Sequence, residues 1–419
     1  IEAMNRACQL IEELGAGEVV GGVVDVYPNV KGDKRIPFEP EKYNKLLGTD
    51  IAKETMLAYF SKIDLGYDPA SNEVIVPSWR QDLLRDADIA EEVARFYGYD
   101  NIPTTLPKGE ATTGKLPFYL RIEQTARDIA EFCGFSQGYS YSFESPKVFD
   151  KLLIPQGDQL RQAISISNPL GEDFSIMRTV SLNGMLNSLA FNYNHRNKNV
   201  RLYELGNVYL PKALPLTELP DERMQFTLGM YGEGDFFTMK GVVEEFFEKV
   251  GLRKTAKYDP NAGKPYLHPG RQANIIYEGT VVGYIGEVHP AVADNYGIGE
   301  RAYVAVLDMK NIVSFATYDR KYEGIVRFPA VTRDLSMVVP KQILAGQIEE
   351  MIAQRGGKHL ESYHLFDLYE GAQIEKGYKS MAYSITFRAK DKTLEESDVA
   401  SAMKKILNGL ESMGIVLRQ

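Results

Sequence analysis

The C-terminal stretch, residues 321–419, alternates between strand and helix patterns in an order that limits the folds open to it. Alternating apolar and polar residues predict strands, and apolar residues at helical spacing predict helices. The resulting β-α-β-β-α-β order predicts a ferredoxin-like domain. Its predicted elements are strand 333–339, helix 344–355, strand 361–369, strand 379–388, helix 395–412 and strand 415–418.

The first 103 residues predict two segments. Residues 1–30 begin with an amphipathic helix at 1–14, followed by a turn and a strand at 19–26. Residues 31–103 predict short helices with a small sheet, which is typical of a winged-helix-like module. Its elements are a helix at 40–47 ended by Gly48, a helix at 50–63 with Thr49 as N-cap, an extended stretch at 74–79 and a helix at 86–97.

A linker and the largest unit follow. Pro107 and Pro117 interrupt residues 104–118, where Gly and Thr also cluster, and this composition predicts a linker. Residues 119–320 are predicted to form one unit, and the whole chain is predicted to be an α+β protein of several domains. The elements expected in this unit are a helix at 119–132, a strand at 134–143, a helix reaching Asn192, a strand hairpin at 200–209 and a strand at 303–308.

The charge of the chain excludes a nucleic-acid-binding surface over the whole molecule, because the formal net charge is −9. The charge is uneven. Residues 321–419 hold 14 of the 48 Lys+Arg and 13 of the 57 Asp+Glu, which leaves 34 and 44 for the rest of the chain. We therefore expect any RNA contact near the C-terminal end.

Cysteine content and hydropathy favour a cytoplasmic protein. Cys8 and Cys133 lie far apart in sequence, which predicts free thiols in a reducing cytosol. No apolar run approaches the roughly 20 residues of a membrane span, so no membrane contact is expected. The first residue is Ile1 rather than Met, and residues 1–30 read as the end of a domain, so we expect a piece of a longer chain.

A concentration of carboxylates follows the only tryptophan, Trp79. Asp88, Glu91 and Glu92 stand at helical positions i, i+3 and i+4, so they project from one helix face and repel one another. A hard cation with oxygen ligands, a basic partner surface or solvent must compensate them. Acidic residues are also favoured in the first turn of any helix by the backbone dipole. Spacing alone therefore favours a solvated acidic face over a metal site.

The same region resembles one domain of a known family. Residues 77–82 (Pro-Ser-Trp-Arg-Gln-Asp) and 95–103 (Arg-Phe-Tyr-Gly-Tyr-Asp-Asn-Ile-Pro) resemble the B5 domain of the beta subunit of bacterial-type phenylalanine–tRNA ligase. The resemblance instead favours a metal site over a solvated acidic face, and it implies that Mg²⁺ binds here near the catalytic alpha subunit. The implied ligands all match the family's pattern and are Asp82, Asp88, Glu91 and Glu92.

The resemblance continues along nearly the whole chain in family order. Residues 1–30 resemble the end of the B3/B4 editing domain, 31–103 the B5 domain, 119–320 a class II synthetase-like antiparallel-sheet core and 321–419 the ferredoxin-fold anticodon-binding domain. The core carries 165–170 (Ser-Ile-Ser-Asn-Pro-Leu), 177–182 (Met-Arg-Thr-Val-Ser-Leu) and 283–290 (Gly-Tyr-Ile-Gly-Glu-Val-His-Pro), and the C-terminal domain carries 328–335 (Phe-Pro-Ala-Val-Thr-Arg-Asp-Leu) and 365–371 (Leu-Phe-Asp-Leu-Tyr-Glu-Gly).

The core is predicted to carry no catalytic residue. A class II site needs cations on the ATP phosphates. Arg201 and Glu204 stand as Arg-x-x-Glu where a motif 2 strand would fall, and the alternative is that this hairpin is simply an edge of the core sheet. The glycine-rich stretch 297–301 runs directly into a strand, so we interpret it as a turn. His268 and His289 each precede a proline, and we interpret both as strand ends or tight turns rather than acid–base sites.

The function implied by the resemblance is that of a non-catalytic beta subunit. Such a chain scaffolds the alpha subunit, in a heterotetramer of two alpha and two beta chains, and binds tRNA(Phe), while the holoenzyme joins phenylalanine to tRNA(Phe) with ATP and Mg²⁺. In the C-terminal domain the candidate tRNA contacts are Arg333, Lys379 and Arg388. The alternative for any one of them is an intramolecular pair, such as Arg333 with Asp334, or a solvated charge.

Two other functions fit parts of the sequence. A free-standing regulatory or RNA-binding paralogue could be built from the same domains. A metal-dependent hydrolase could use the carboxylates between Asp82 and Glu92, although no nucleophile or base partner stands near them in the sequence. An aminoacylation assay of the chain expressed with an alpha subunit separates these possibilities.

Overall fold

A computed structural model describes residues 1–322, 324–371 and 373–418. The chain divides into two compact units, residues 1–113 and residue 114 onward, and each is described by itself. Cys8 and Cys133 are both free thiols. Within the described residues, no helix is both long and apolar enough to cross a membrane.

The folded part of the first unit is a three-stranded antiparallel sheet with three helices. Strand β3 lies in the middle of the sheet order β1-β3-β2. The helices bury apolar residues such as Tyr43, Met56 and Ile89 against the sheet. Helix α2 ends at Gly48, whose φ of 70° is the left-handed conformation that glycine adopts without strain. The elements are α1 Glu2–Glu13, β1 Lys34–Pro37, α2 Pro40–Leu47, α3 Lys53–Ser61, β2 Gly66–Asp68, β3 Glu73–Val76 and α4 Asp86–Tyr97.

Two predictions for this unit are wrong. Residues 19–26 form no strand, and they are exposed, so their backbone has no partner strand among the described residues. Helix α3 begins at Lys53 rather than at residue 50. The Thr49 hydroxyl donates to Asn44 Oδ1 (2.9 Å) and does not cap the helix. The same Asn44 oxygen accepts the Ile51 N–H (2.8 Å), which holds this loop outside the helix.

The second unit begins with a seven-stranded sheet in the order β4-β7-β8-β12-β11-β10-β9. All neighbours are antiparallel except β4 and β7. Helices α5, α8 and α10 pack on one face of the sheet, and α6, α7 and α9 pack on the other. The helices are α5 Phe118–Phe132, α6 Val148–Lys151, α7 Leu182–Asn194, α8 Phe236–Lys249, α9 Pro290–Tyr296 and α10 Met309–Phe315.

The strand predicted at 134–143 is two short pieces instead. Strand β4 pairs with the sheet edge, whereas β5 leaves the sheet and pairs with β6. The hairpin predicted at 200–209 is wrong, because Val200–Leu210 is a single strand that pairs with Asp221–Tyr231. The other long strands agree with the sequence pattern, because each buries apolar residues on the sheet. The strands of this part are β4 Ser136–Gln137, β5 Phe143–Glu144, β6 Ile176–Met177, β7 Val200–Leu210, β8 Asp221–Tyr231, β9 Lys257–Asp259, β10 Leu267–Tyr277, β11 Thr280–Val288 and β12 Ala302–Asp308.

The C-terminal part confirms the predicted β-α-β-β-α-β order. Its four-stranded antiparallel sheet has the order β14-β15-β13-β16, so the first and third strands of this part are central. Both helices pack on one face, against buried residues such as Met337, Tyr383 and Ile385. The elements are β13 Val331–Pro340, α11 Ala345–Arg355, β14 Leu360–Tyr369, β15 Tyr378–Phe387, α12 Glu396–Glu411 and β16 Val416–Leu417.

Candidate functional site

The carboxylates of the first unit are held by arginines. The Arg80 guanidinium donates from Nη2 to Asp82 Oδ2 (2.6 Å) and to Glu92 Oε1 (2.8 Å), and from Nε to Asp82 Oδ1 (3.0 Å). Arg95 Nη2 donates to the other Glu92 oxygen at 2.5 Å. Glu92 is only 6% exposed. Burial raises the pKa of Glu92, but the hydrogen bonds from the two arginines outweigh burial and hold this pKa below its usual value.

Asp88 has a different role, because its side chain caps the first turn of α4. Its Oδ2 accepts the backbone N–H groups of Leu84 (2.8 Å) and Arg85 (2.9 Å). The hydrogen bond from Leu84 is the main reason that the pKa of Asp88 is lowered. Glu91 is exposed, and within the described part of the chain it forms no hydrogen bond or ion pair. Of the four predicted ligands, the structure brings together only Asp82 and Glu92, through Arg80.

This arrangement does not fit a divalent cation held by all four carboxylates. Mg²⁺ demands near-octahedral oxygen ligands at about 2.0–2.1 Å. Among the described residues, no group of three or more Asp, Glu, His or Cys side chains is placed to hold a metal. The oxygens of Asp82 and Glu92 already accept hydrogen bonds from guanidinium groups, although the Asp82 side chain is exposed. The assignment of Asp82, Asp88, Glu91 and Glu92 to Mg²⁺ stays a prediction.

Glu204 in the core sheet pairs with an arginine that the sequence reasoning missed. Arg178 Nη1 donates to Glu204 Oε1 (2.9 Å) and to Ser140 Oγ (3.0 Å), and its Nε donates to the carbonyl of Asn207 (2.7 Å). Ser140 Oγ donates in turn to Glu204 Oε2 (2.6 Å). The Arg178 and Glu204 side chains are 2% and 7% exposed, so this network is buried and closed.

Arg201 does not take part in this network. Arg201 and Glu204 lie three positions apart on β7, and residues at odd separation on a strand point to opposite faces. Arg201 instead donates to the carbonyls of Cys133 (3.3 Å) and Glu233 (3.4 Å). No spacing in the sequence identifies Arg178 as the partner of Glu204, because 26 positions separate the two residues. Gly206 follows Glu204 by two residues, and a Cβ at that position would lie 2.1 Å from Arg178 Nη2.

The stretch 297–301 and the two histidines form local contacts at turns and strand ends. Gly297 ends α9 with a φ of 73°, and Arg301 leads directly into β12, which confirms that this stretch is a turn. His289 Nδ1 accepts the N–H of Ala291 (3.1 Å) and caps α9. His268 Nδ1 accepts the N–H of Gly270 in the same way (3.1 Å). These contacts agree with the interpretation of both histidines as turn residues.

A cavity of about 710 Å³ opens beside α7, and aromatic and amide side chains line it. Glu144 stands in its wall and is 5% exposed. Its Oε1 accepts a hydrogen bond from Asn183 Nδ2 (2.8 Å), while Asn183 Oδ1 accepts one from the Tyr296 hydroxyl (2.6 Å). Burial raises the pKa of Glu144 to about 7, although the hydrogen bond from Asn183 and the charge of Arg178 act against burial.

The three candidate tRNA contacts of the C-terminal part differ in their surroundings. Arg333 Nη2 donates to Glu396 Oε2 (2.6 Å), so Arg333 pairs with α12 rather than with its neighbour Asp334. Arg388 donates to Glu361 Oε2 (3.0 Å) and to a carbonyl. Lys379 forms no hydrogen bond or ion pair within the described residues, and partial burial lowers its pKa. Lys379 is therefore the candidate most available to a partner.

Comparison with known proteins agrees with this order of parts. The tRNA synthetase B5 domain family matches residues 36–99. The family described as the phenylalanyl tRNA synthetase beta chain CLM domain matches residues 102–309, and the ferredoxin-fold anticodon binding domain family matches residues 326–418. Together these matches define a chain built from aminoacyl-tRNA synthetase domains.

Curated relatives define the family more narrowly. The chain is 43% identical to the phenylalanine–tRNA ligase beta subunit of Clostridium acetobutylicum, over 99% of this chain and 53% of that protein. It is 41% identical to the same subunit of Clostridium tetani, with 99% and 53% covered, and 34% identical to that of Bacillus subtilis, with 98% and 52% covered. The chain belongs to the phenylalanine–tRNA ligase beta subunit family. It spans about half the length of the curated relatives that it matches.

Proposed function

We propose that this chain works as a non-catalytic part of phenylalanine–tRNA ligase, which attaches phenylalanine to tRNA(Phe) with ATP. The buried pair of Arg178 and Glu204 carries this proposal, because it lies in a synthetase-like sheet and yet offers no charge to a ligand. Membership of the beta subunit family supports the same role. In this role the chain scaffolds a catalytic alpha subunit and helps to bind tRNA.

The charges of the core support the absence of catalysis by the chain itself. Adenylation needs cations directed at phosphate oxygens. Arg178 is enclosed by Glu204, Ser140 and a carbonyl, and Arg201 donates to two backbone carbonyls. Neither side chain is presented to a substrate, so we assign the chemistry to the alpha subunit.

The partners and the compartment follow from the same family. We assign to the working enzyme a heterotetramer of two alpha and two beta chains, a cytoplasmic location and a requirement for ATP and Mg²⁺. The domain boundaries predicted after residues 30, 103, 118 and 320 stay predictions, as does the account of residues 1–30 as the end of an editing domain.

The experiment that tests this function compares the chain with and without a bacterial phenylalanine–tRNA ligase alpha subunit. The purified chain alone is expected not to exchange pyrophosphate between ATP and phenylalanine, because Arg178 and Arg201 are both held by contacts within the chain. After co-expression, the two chains are expected to co-purify, and exchange is expected in the complex. The measurement is the rate of phenylalanine-dependent ATP–pyrophosphate exchange.

Two controls make this experiment decisive. The variant Arg201→Gln is expected to leave exchange by the complex unchanged, since Arg201 contacts only carbonyls. Exchange by the chain after complete removal of the alpha subunit would contradict the proposal of a non-catalytic core. A chain that binds tRNA but never co-purifies with an alpha subunit would instead favour the free-standing RNA-binding paralogue.

The C-terminal candidates give a separate prediction for tRNA binding. Lys379→Gln is expected to weaken tRNA binding and to reduce the slope of log affinity against log salt by about one, as loss of one phosphate contact does. Arg333→Gln is the matched control, because Arg333 is paired with Glu396. The measurement is tRNA(Phe) affinity at several salt concentrations. An equal loss of tRNA affinity in both variants, or a larger loss for Arg333→Gln, would contradict this prediction. Ion pairing in the free chain would then not determine which side chain contacts tRNA.

A further inference from the structure

The cation already present among the carboxylates of the first unit is Arg80. Its side chain is 15% exposed, and its guanidinium binds Asp82 with two nitrogens and Glu92 with one. A planar fork of this kind matches a carboxylate more specifically than a point charge does. Arg80 therefore ties the loop before α4 to the buried Glu92 on that helix.

The local charge is balanced without a metal ion. Asp82 and Glu92 contribute two negative charges, and Arg80 and Arg95 contribute two positive charges within hydrogen-bond distance. A divalent cation at this place would have to displace a guanidinium from the carboxylate oxygens, or lie beside two positive charges that repel it. Asp88 is held at the start of α4, because its Oδ2 accepts two backbone N–H groups and its Oδ1 lies 3.7 Å from Arg85 Nε.

We propose that Arg80 is the resident counter-ion of Asp82 and Glu92, and that it holds the loop before α4 against that helix in the absence of a divalent cation. In this arrangement Arg80 contacts two of the four carboxylates that the family resemblance assigns to Mg²⁺. Arg80 is thus a positioning residue that sets the path of the Trp79–Asp82 loop against α4. This inference concerns the first unit alone and does not depend on the proposed function.

Tryptophan fluorescence of the complete chain tests the proposal, because Trp79 is the only tryptophan and adjoins Arg80. The unfolding midpoint of the unmodified chain is expected to be the same in excess MgCl₂ as in NaCl of equal ionic strength with EDTA. Arg80→Met is expected to lower this midpoint by roughly 5–10 °C, because Glu92 stays buried with one partner fewer. In this variant MgCl₂ is expected to recover part of the loss, since Asp82 and Glu92 become free to bind it.

The matched control is Arg35→Met in the same unit. Arg35 also bridges two carboxylates, Asp68 at 2.9 Å and Glu73 at 3.4 Å, but its side chain is 45% exposed. This variant is expected to lose little stability and to gain no response to MgCl₂. Equal losses in Arg80→Met and Arg35→Met would overturn the proposal.

Calorimetric titration of the unmodified chain with MgCl₂ gives a second test that does not depend on the folding of any variant. No saturable heat is expected, because the carboxylate oxygens of Asp82 and Glu92 are occupied by arginine. Saturable binding that Asp82→Asn abolishes would show that Mg²⁺ displaces Arg80 readily, and the proposal would then be wrong.

Discussion

Replacing Arg178 with methionine is expected to lower the free energy of unfolding of the second unit by about 3–5 kcal/mol. The substitution keeps much of the side-chain volume but leaves the Glu204 carboxylate buried without its charged partner. It also removes the donors to Ser140 and to the Asn207 carbonyl. The measurement is urea unfolding at neutral pH, followed by circular dichroism.

The control for this prediction is Arg201→Met, which changes the same residue type on the strand that carries Glu204. Arg201 is partly exposed and contacts only two carbonyls at 3.3 and 3.4 Å, so a loss below about 1 kcal/mol is expected. The double variant Arg178→Met with Glu204→Leu is expected to recover part of the stability, because no unpaired charge remains. If Arg178→Met costs no more than Arg201→Met, the buried network is not a major source of stability.

The second large effect is a change in the pH dependence of stability on replacing Glu144 with glutamine. Burial raises the pKa of Glu144 from 4.5 to about 7, so the folded protein favours the neutral carboxyl. A raised pKa gives stability that is complete below pH 4.5 and is lost as pH rises through 7. Glutamine stays neutral and keeps an oxygen for Asn183 Nδ2. Glu144→Gln is therefore expected to be more stable than the unmodified chain by roughly 2–3 kcal/mol at pH 8.

The same comparison near pH 4.5 is expected to show little difference, because the unmodified Glu144 is then protonated in the folded state. Unfolding in urea at the two pH values measures the effect. Glu172→Gln is the control, since Glu172 has a side chain that is 68% exposed and pairs only with Lys147. If Glu144→Gln and the unmodified chain differ by the same free energy of unfolding at both pH values, Glu144 is not neutral and buried in the folded protein.

The ferredoxin-like part was predictable because its information is local. Strand β13 alternates buried Leu335, Met337 and Val339 with more exposed neighbours, and this period of two is visible in the sequence. Helices α11 and α12 show apolar residues at helical spacing, which is also visible in the sequence. The predicted ends differ from the observed ends by at most two residues, as expected where helix and strand termini depend on capping.

The charged sites were less predictable because their partners are distant in sequence or compete with one another. Arg178 and Glu204 are separated by 26 positions, and only the folded sheet brings them together. Arg80 lies two residues before Asp82 and was part of the motif, yet spacing alone does not show that it bridges to Glu92. Carboxylate spacing on α4 predicted a shared face, but it did not show that Asp88 turns back to cap the helix.

Failures in the first thirty residues and at Thr49 have a similar physical cause. A strand pattern such as that at 19–26 becomes a strand only when another strand supplies hydrogen bonds, and none of the described residues does so. Thr49 has the side chain of a good N-cap, but Asn44 accepts its hydroxyl and fixes the loop first. Local preference thus failed at 19–26 for lack of a partner strand and at Thr49 because of a competing loop contact.

The pair of Arg178 and Glu204 also limits the substitutions that this part of the core can accept. An arginine that binds nucleotide must be free to leave its carboxylate when the ligand arrives, whereas Arg178 supports the interior of the sheet. If Arg178 turned toward a ligand, the buried Glu204 carboxylate would lose its charged partner. A larger residue at Gly206 would collide with the Arg178 side chain. A change at Arg178, Glu204 or Gly206 is therefore expected to need a compensating change at a second of these positions.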